Sequence, residues 1–411
     1  MVEVVLAVLV MMSLVISAVS TVYFIIIYLL GGLRVKSVDP HTFPVTTKFA
    51  VVIAAHNEKR VIGSTMDALN NADYPKELID IYVVADNCSD TTAEIARAKG
   101  ATVFERFDNL KKGKGHALTW VFQKVWDSGI VYDAVCLLDA DNLVDVNYFL
   151  QMNKSLHLGH KVVQGYLGCK NPEDSWISGC YSISYWLTNR VFQLSRFQLG
   201  LSCTIGGTGF VVRAELLKAI GWDSYCLTED LEFQLKMVQS DTKVAWNHDA
   251  VFYDEKPITL KQSIKQRTRW MQGHSDCLTR FFKSIIKKSW KEKNFIAFDT
   301  DFYLLQPYCL FFIWSVSLLS IAYTLFMSIF NIQFLIGFGF SLLLTEVVMM
   351  LFGVILFVEK KMTPKIFLYL LIFPFFAYTW LVPIFLGWRH RKETAWVHTE
   401  HTRAINVKDM L

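Results

Sequence analysis

The sequence predicts an α/β domain on a mostly parallel, Rossmann-like sheet, joined to an α-helical transmembrane region. Three observations predict it. Uncharged apolar runs lie near both ends of the 411-residue chain, from Val4 to Leu30 and again from Phe302 onward. Between Lys48 and about Asp301 the composition is that of a globular domain, although the chain as a whole is 53% hydrophobic with a positive mean hydropathy. Within that middle stretch, short Val- and Ile-rich runs alternate with segments of helical spacing, the pattern of a parallel sheet covered by helices on both faces.

About twenty apolar residues span a bilayer core, so the run from Val4 to Leu30 is long enough. Ser17, Ala18 and Ser20 would suit a signal-peptide cleavage site, but Glu3 is acidic, no basic segment precedes the run, and its apolar character continues past these residues. Residues 1–36 therefore read as a retained transmembrane anchor. Arg34 and Lys36 follow it, so the positive-inside rule predicts that the domain, residues 45–280, lies in the cytosol at the cell membrane. The eight cysteines are scattered without a Cys-x-x-Cys pair, as in a reducing compartment.

Strand and helix signals then follow in order. "FAVVIAAHNE" (49–58) reads as a buried strand, and residues 60–70 as a helix. "IDIYVVADN" (79–87) is a second strand; "SDTTAEIARAKG" (89–100) is a helix with Ser89 or Asp90 as N-cap and Gly100 at its C-terminal end. "ATVFERFD" (101–108) and "YDAVCLLDADN" (132–142) continue the alternation. In open sheets of this kind ligands bind outside the carboxyl ends of the strands. His56, Asn57 and Glu58, then Asp86 and Asn87, then Asp139 and Asp141 would all lie along that edge. Asn and Asp favour turns anyway, but three such groups at equivalent positions point to a ligand. The first strand is not followed by Gly-x-Gly-x-x-Gly and no Walker sequence occurs, which excludes the usual dinucleotide and P-loop sites. "KKGKGHAL" (111–118) leads into a helix, where Lys114 and free amides could meet a phosphate.

Two later stretches carry more chemistry. "LTEDLEF" (227–233) crowds Glu229, Asp230 and Glu232 against apolar neighbours. Such crowding raises carboxyl pKa values and suits a general base, although acids are also welcome at a helix N-terminus. "QRTRWMQGH" (266–274) sets Gln266, Arg269 and Trp270 on roughly one helical face. A guanidinium suits a diphosphate, and an indole offers a platform for a sugar ring. In "FFKSIIKKSWKEK" (281–293), Lys283, Lys287, Lys288 and Lys291 oppose Phe282, Ile285, Ile286 and Trp290. This predicts a basic amphipathic helix over 281–300, lying on the inner leaflet and touching membrane lipids.

The ordered series Asp86, Asp139-Ala140-Asp141, Thr228-Glu229-Asp230 and Gln266-x-x-Arg269-Trp270 resembles the inverting family 2 glycosyltransferases. Its nearest likeness is to their processive membrane branch, which includes cellulose, hyaluronan and poly-N-acetylglucosamine synthases. The resemblance covers about residues 48–280. It implies a GT-A fold, a nucleotide-diphosphate sugar donor such as UDP-glucose or UDP-N-acetylglucosamine, and Mg²⁺ or Mn²⁺. By the same resemblance Asp86 contacts the base or ribose, with Asn57 and Glu58 nearby, and Lys114 lies close to the donor. Asp139 and Asp141 serve the metal-diphosphate, Asp141 being the direct ligand. Asp230, beside Glu229, deprotonates the attacking hydroxyl, while Arg269 and Gln266 steady the leaving diphosphate. Trp270 shapes the acceptor site, and Gly207, Thr208 and Gly209 of "GGTGF" (206–210) contact the acceptor.

The implied acceptor is a growing β-linked polysaccharide; a membrane lipid receiving a single sugar is the alternative, and a degenerate, purely binding domain is a third reading. Nothing in the sequence calls for a nucleic acid, and a homo-oligomer is left open. Residues 301–390 form a membrane block of three apolar stretches, about 302–328, 333–358 and 366–388, the last containing Pro374 and Pro383. A cytosolic tail at 391–411 requires an even number of crossings, which three stretches do not give unless the third is broken or re-entrant. Glu346 is the lone acid of the second stretch, and "WVHTEHTR" (396–403) resembles loops that close over the active site of polymer synthases.

Overall fold

The computed structural model describes residues 2–31, 37–222, 226–327, 348–393, 403 and 405. Among them, eight strands form one sheet in the order β3-β2-β1-β4-β7-β6-β8-β5. The strands are β1 Phe49–Ala55, β2 Ile79–Asp86, β3 Thr102–Arg106, β4 Ala134–Asp139, β5 Leu143–Val144, β6 Val162–Cys169, β7 Phe210–Arg213 and β8 Val244–Asp254. The first four run parallel, Phe49 registering with both Ile79 and Ala134, and β6 runs parallel to β8. β7 is antiparallel to β4 and β6, and β5 is antiparallel to β8. The sheet is thus mostly parallel, as the alternation of the first half predicts, with β7 and β5 as its antiparallel members. It remains a GT-A-like Rossmann arrangement.

The unbroken apolar strand "FAVVIAA" follows from burial on both faces. Ala50 and Val52 pack with Val84, Val135 and Leu137 under α4 (Lys114–Asp127), while Val51 and Ile53 pack with Val83, Cys136 and Leu138 under α2 (Ile62–Asn70) and α5 (Tyr148–His157). α3 (Thr92–Ala98) has Thr91 at its N-cap, later than the expected Ser89 or Asp90, although Asp90 Oδ1 still accepts from the Thr92 N–H at 3.1 Å. Gly100, at φ 93°, lies just beyond the last turn. All eight cysteines are free thiols.

After β6 the chain builds the layer that meets the apolar helices. α6 (Trp176–Leu187) opens on a Ser175/Ser178 capping box and continues through a π-helical stretch, Thr188–Leu194, into α7 (Ser195–Gln198). α8 (Ala214–Ile220) and α9 (Glu229–Gln239) follow. α10 runs unbroken from Leu260 to Lys291. The separate amphipathic helix predicted over 281–300 is therefore not a distinct element: it is the last third of α10, extended by the start of the next helix. Ile285 from this segment is buried against α9, whereas Trp290 is 79% exposed.

Among the described residues, three helical stretches are long and apolar enough to cross a membrane: Val4–Tyr28 within α1 (Val2–Gly31), Phe295–Tyr323 within α11 (Phe295–Met327), and Pro364–Arg389. A shorter apolar helix, α12, spans Val348–Val358. The third stretch is broken, as its prolines predict, into α13 (Pro364–Tyr378) and α14 (Leu381–Arg389). Pro383 has no N–H to bond the Thr379 carbonyl, so the ladder fails at that step. Glu346 and residues 396–402 lie outside the described residues. Two buried contacts fasten this layer to the domain. Arg196 of α7 pairs with Asp299 of α11 at 3.0 Å, and Tyr23 of α1 donates to the same carboxylate. Gly387 of α14 lies directly on the α10 backbone at Met271 and Gln272, where a Cβ would fall 2.4 Å from Met271 Cβ.

Candidate functional site

A cavity of about 460 Å³ opens at the carboxyl ends of the strands, where the topology predicts a ligand. Its sheet-side wall comes from four places. His56 and Glu58 follow β1, Asp86 ends β2, Asp139 ends β4 with Asp141 just beyond it, and Gly113 and Lys114 open α4. Gly207 and Thr208 precede β7, and Glu229 and Asp230 open α9. Gln266, Arg269 and Trp270 enter from α10. The far wall belongs to the apolar helices, through Tyr303 and Pro307 of α11 and Trp380 at the α13–α14 break. Residues from four sequence motifs and from the membrane block thus share one space.

Lys114 holds the centre. Its Nζ donates to Asp139 Oδ1 at 2.5 Å and to the Gly207 carbonyl at 2.7 Å, and lies 3.7 Å from Glu229 Oε1. Burial opposes its charge, but the carboxylates of Asp139 and Glu229 outweigh that and hold its pKa above the ordinary lysine range. Asp141 is buried, its Oδ2 accepting from the Glu255 N–H at 3.0 Å and lying 3.9 Å from Lys170 Nζ. Lys170 also donates to the Asp141 carbonyl. The Asp139 N–H donates to Thr208 Oγ1 at 2.9 Å and Asn142 Oδ1 at 3.0 Å, which fixes the turn between the two acids.

Asp230 faces the cavity beside Gly207, where a Cβ would sit 3.1 Å from Asp230 Oδ2. Burial, and then the charge of Glu229, push its carboxyl up to about 7. Asp254, at the end of β8, is pushed up to about 6 by burial, with Lys256 pulling the other way. Among the described residues, Arg269 Nε and Gln266 Oε1 are buried without hydrogen-bond partners. An unmatched buried donor costs about 1–3 kcal/mol, and Arg269 Nε is such a donor in a residue that lines the cavity.

Two of the predicted residues stand apart from the cavity. Asn57 is turn chemistry: at φ 57° its Oδ1 accepts from the Ser89 N–H at 2.8 Å, and its neighbours His56 and Glu58 take the wall. Gly209, at φ 63°, is a core position, since a Cβ there would fall 2.0 Å from the Phe252 ring. Gly209→Ala is accordingly expected to destabilise the domain by about 3 kcal/mol through overpacking and backbone strain. Denaturant unfolding of the purified protein checks this; an unaltered midpoint with a raised acceptor KM would make Gly209 an acceptor contact after all.

Several wall residues escaped the sequence reading. Asp254 ends β8 and Glu255 follows it, while Lys170, which lies against Asp141 without lining the cavity, follows β6; the apolar runs "VVQGYLGC" and "AVFYD" meet charges just as "CLLD" does. That shared ending was the available signal. Tyr303 and Trp380 had none, because nothing in an apolar run marks which residue turns toward a cavity.

A divalent cation fits this site. Among the described residues no group of three or more His, Cys, Asp or Glu side chains could hold a metal by itself. Mg²⁺, however, is commonly bound by one or two carboxylates together with substrate phosphates, and Asp139 and Asp141 offer that pair.

The family described as "Glycosyltransferase like family 2" matches residues 46–273. The chain is 28% identical over 381 residues to the "Probable glycosyltransferase YdaM" of Bacillus subtilis, covering 86% of each. It is 25% identical over 325 residues to the poly-beta-1,6-N-acetyl-D-glucosamine synthase of Staphylococcus epidermidis, covering 76% of this chain and 75% of that one. A beta-monoglucosyldiacylglycerol synthase of Trichormus variabilis is 26% identical over 276 residues, covering 64% of this chain and 56% of the relative. Among solved structures, the mannosyltransferase PcManGT from Pyrobaculum calidifontis, in complex with GDP-Man and Mn²⁺, superposes with a TM-score of 0.59 at 16% identity, over 90% of this chain and 99% of that one. That likeness is one of fold.

Proposed function

This chain belongs to glycosyltransferase family 2 as a nucleotide-sugar-dependent hexosyltransferase, and from that premise we propose that it extends a β-linked polysaccharide from a UDP-sugar, with inversion, at the cytosolic face of the membrane. The observation that carries the reading is the continuity of the cavity, which runs from Asp86 past Lys114 and Asp139 to Asp230, Trp270 and Trp380. A donor laid along the strand ends would present its anomeric carbon toward Asp230, and an acceptor would enter between Trp270 and the apolar helices. UDP-glucose and UDP-N-acetylglucosamine are the proposed donors.

In this mechanism Asp86 reads the nucleoside. Asp139 and Asp141 would hold Mg²⁺ or Mn²⁺, which supplies positive charge to the departing diphosphate. Lys114 and Arg269 add fixed positive charge where negative charge develops as the anomeric C–O bond breaks. Arg269 Nε, unmatched among the described residues, would donate there, and Gln266 would donate through its side-chain NH2 group. On the opposite face Asp230 Oδ2 takes the proton of the attacking hydroxyl, and in-line attack inverts the configuration. Trp270 offers its ring to the acceptor sugar.

A general base must be ionised before it accepts a proton. With Asp230 raised to about 7, transfer should be full above that pH and fall about tenfold per unit below it. A kcat/KM profile between about pH 5 and pH 8 measures this. A flat profile would remove Asp230 from the role.

A lipid acceptor is the second reading, favoured by the share of the cavity wall that α11 and Trp380 supply. Incubation in lipid nanodiscs with Mg²⁺ or Mn²⁺ and a panel of labelled UDP-sugars decides between them. A high-molecular-weight product from one donor is expected. A single small, lipid-extractable product would overturn the polymer reading and leave a lipid glycosyltransferase.

A further inference from the structure

Behind the donor end of the cavity lies a buried guanidinium for which the chemistry above has no use. Arg106, the last residue of β3, is 7% exposed. Its Nη1 donates to Asp86 Oδ1 at 2.6 Å, and its Nη2 donates to Asp108 Oδ2 at 2.9 Å and to the Lys111 carbonyl at 2.8 Å. Asn87, at φ 52°, closes the other side. Its N–H donates to the Arg106 carbonyl at 2.7 Å, its Nδ2 to the Asp108 carbonyl at 3.2 Å, and its Oδ1 accepts from the Asp108 N–H at 2.9 Å. Asp108 Oδ1 in turn accepts the N–H groups of Leu110 and Lys111, each at 2.9 Å. One cation therefore ties the end of β2, the end of β3 and the turn that leads to Gly113 and Lys114.

The arrangement divides the Asp86 carboxylate between two tasks. Oδ1 is taken by Arg106 and by Asn87 Nδ2 at 3.1 Å. Oδ2 has no hydrogen bond among the described residues, and Asp86 lines the cavity. An ionised carboxylate only accepts, so the remaining oxygen suits a nucleobase with a ring N–H, uracil or guanine, and disfavours cytosine, whose ring N3 is itself an acceptor.

We propose that Arg106 is the positioning residue for donor recognition: it fixes Asp86 through Oδ1 so that Oδ2 meets the base, and through Nη2 it locks that reading to the turn carrying Lys114. This rests on the assignment of Asp86 to the base. A lysine at 106 would keep the charge but not the planar fork that reaches both carboxylates at once.

Equilibrium binding of UDP, GDP and CDP to the full chain in nanodiscs with Mg²⁺ tests the idea, alongside steady-state transfer. The wild type is expected to prefer UDP or GDP over CDP by at least about tenfold. In Arg106→Lys the preferred nucleotide should weaken by about tenfold and the preference over CDP should collapse, while kcat at saturating donor stays within about threefold. Unchanged affinity and preference in Arg106→Lys, alongside a loss in Asp86→Asn, overturns the role of Arg106 alone. Unchanged affinity in Asp86→Asn overturns the reading of Asp86, and this inference with it. Should Arg106→Lys fail to fold, Asp108→Asn removes one leg of the clamp at a partly exposed position. A several-fold rise in donor KM at unaltered kcat is expected there, and an unaltered KM overturns the link to the turn.

Discussion

Asp230→Asn should lower turnover by about a thousandfold while leaving UDP binding within about twofold of wild type. The substitution keeps the shape of the side chain, so the contact with Gly207 and the start of α9 survive. What it removes is the capacity to take a proton. Among the described residues Glu229 is the only other acid at that turn facing the cavity, and its Oε1 lies 3.7 Å from Lys114 Nζ. It is therefore poorly placed to replace Asp230, yet its charge is, after burial, the largest cause of the raised Asp230 pKa. Glu229→Gln should accordingly retain much of its turnover and move the acid limb of the pH profile to lower pH, because the carboxyl of Asp230 then ionises more easily. Single-turnover transfer and isothermal titration with UDP separate the two effects. More than about a tenth of wild-type turnover in Asp230→Asn would assign the base elsewhere. Loss of UDP binding in the same variant would place Asp230 in donor recognition instead.

Much of this site was legible in the sequence because each motif marks the end of an apolar run. A strand that is buried along its whole length must end where the sheet ends, and the acids that follow "AVVIAA", "IYVVA" and "AVCLL" fall there together. The same logic would have reached Asp254 and Glu255 after β8. It was obscured by β7, whose reversal no strand pattern announces: "FVVR" is four residues long and reads alike in either direction. Asn57 and Gly209 show the opposite error. Both sit inside motifs, but positive φ and close packing explain them without a ligand, and neither constraint is visible before the backbone is traced. The helix over 281–293 was misdivided for a related reason, since a change in surface charge along a helix does not interrupt its hydrogen-bond ladder. Least legible was the membrane-side wall. Composition identifies an apolar helix, but only the packing of Gly387 on α10 and the break at Thr379–Trp380 decide that Trp380 borders the cavity.

Asp141→Asn should abolish the dependence of donor binding on the divalent cation. In the wild type, chelation with EDTA is expected to weaken UDP binding by about a hundredfold or more, because among the described cavity residues Lys114 alone then offsets the charges of Asp139 and Asp141 facing the diphosphate. In Asp141→Asn the affinities with Mg²⁺ and with EDTA should converge, and transfer should fall by about a thousandfold. The variant must also tolerate a buried Lys170 that has lost a nearby charge, although Lys170 keeps its bond to the Asp141 carbonyl. Leaving a buried charge uncompensated costs about 3 kcal/mol or more, so unfolding in the absence of nucleotide has to be measured in parallel, and a folded variant is the precondition for reading the binding result. Asp139→Asn provides the contrast. Its carboxylate is already engaged by Lys114 at 2.5 Å, so its loss frees that lysine for the diphosphate and should weaken the cation dependence less than Asp141→Asn does. If instead Asp139→Asn erases the cation effect and Asp141→Asn preserves it, the direct ligand is the more exposed acid, and the buried one serves to hold Glu255 and Lys170 in place around it.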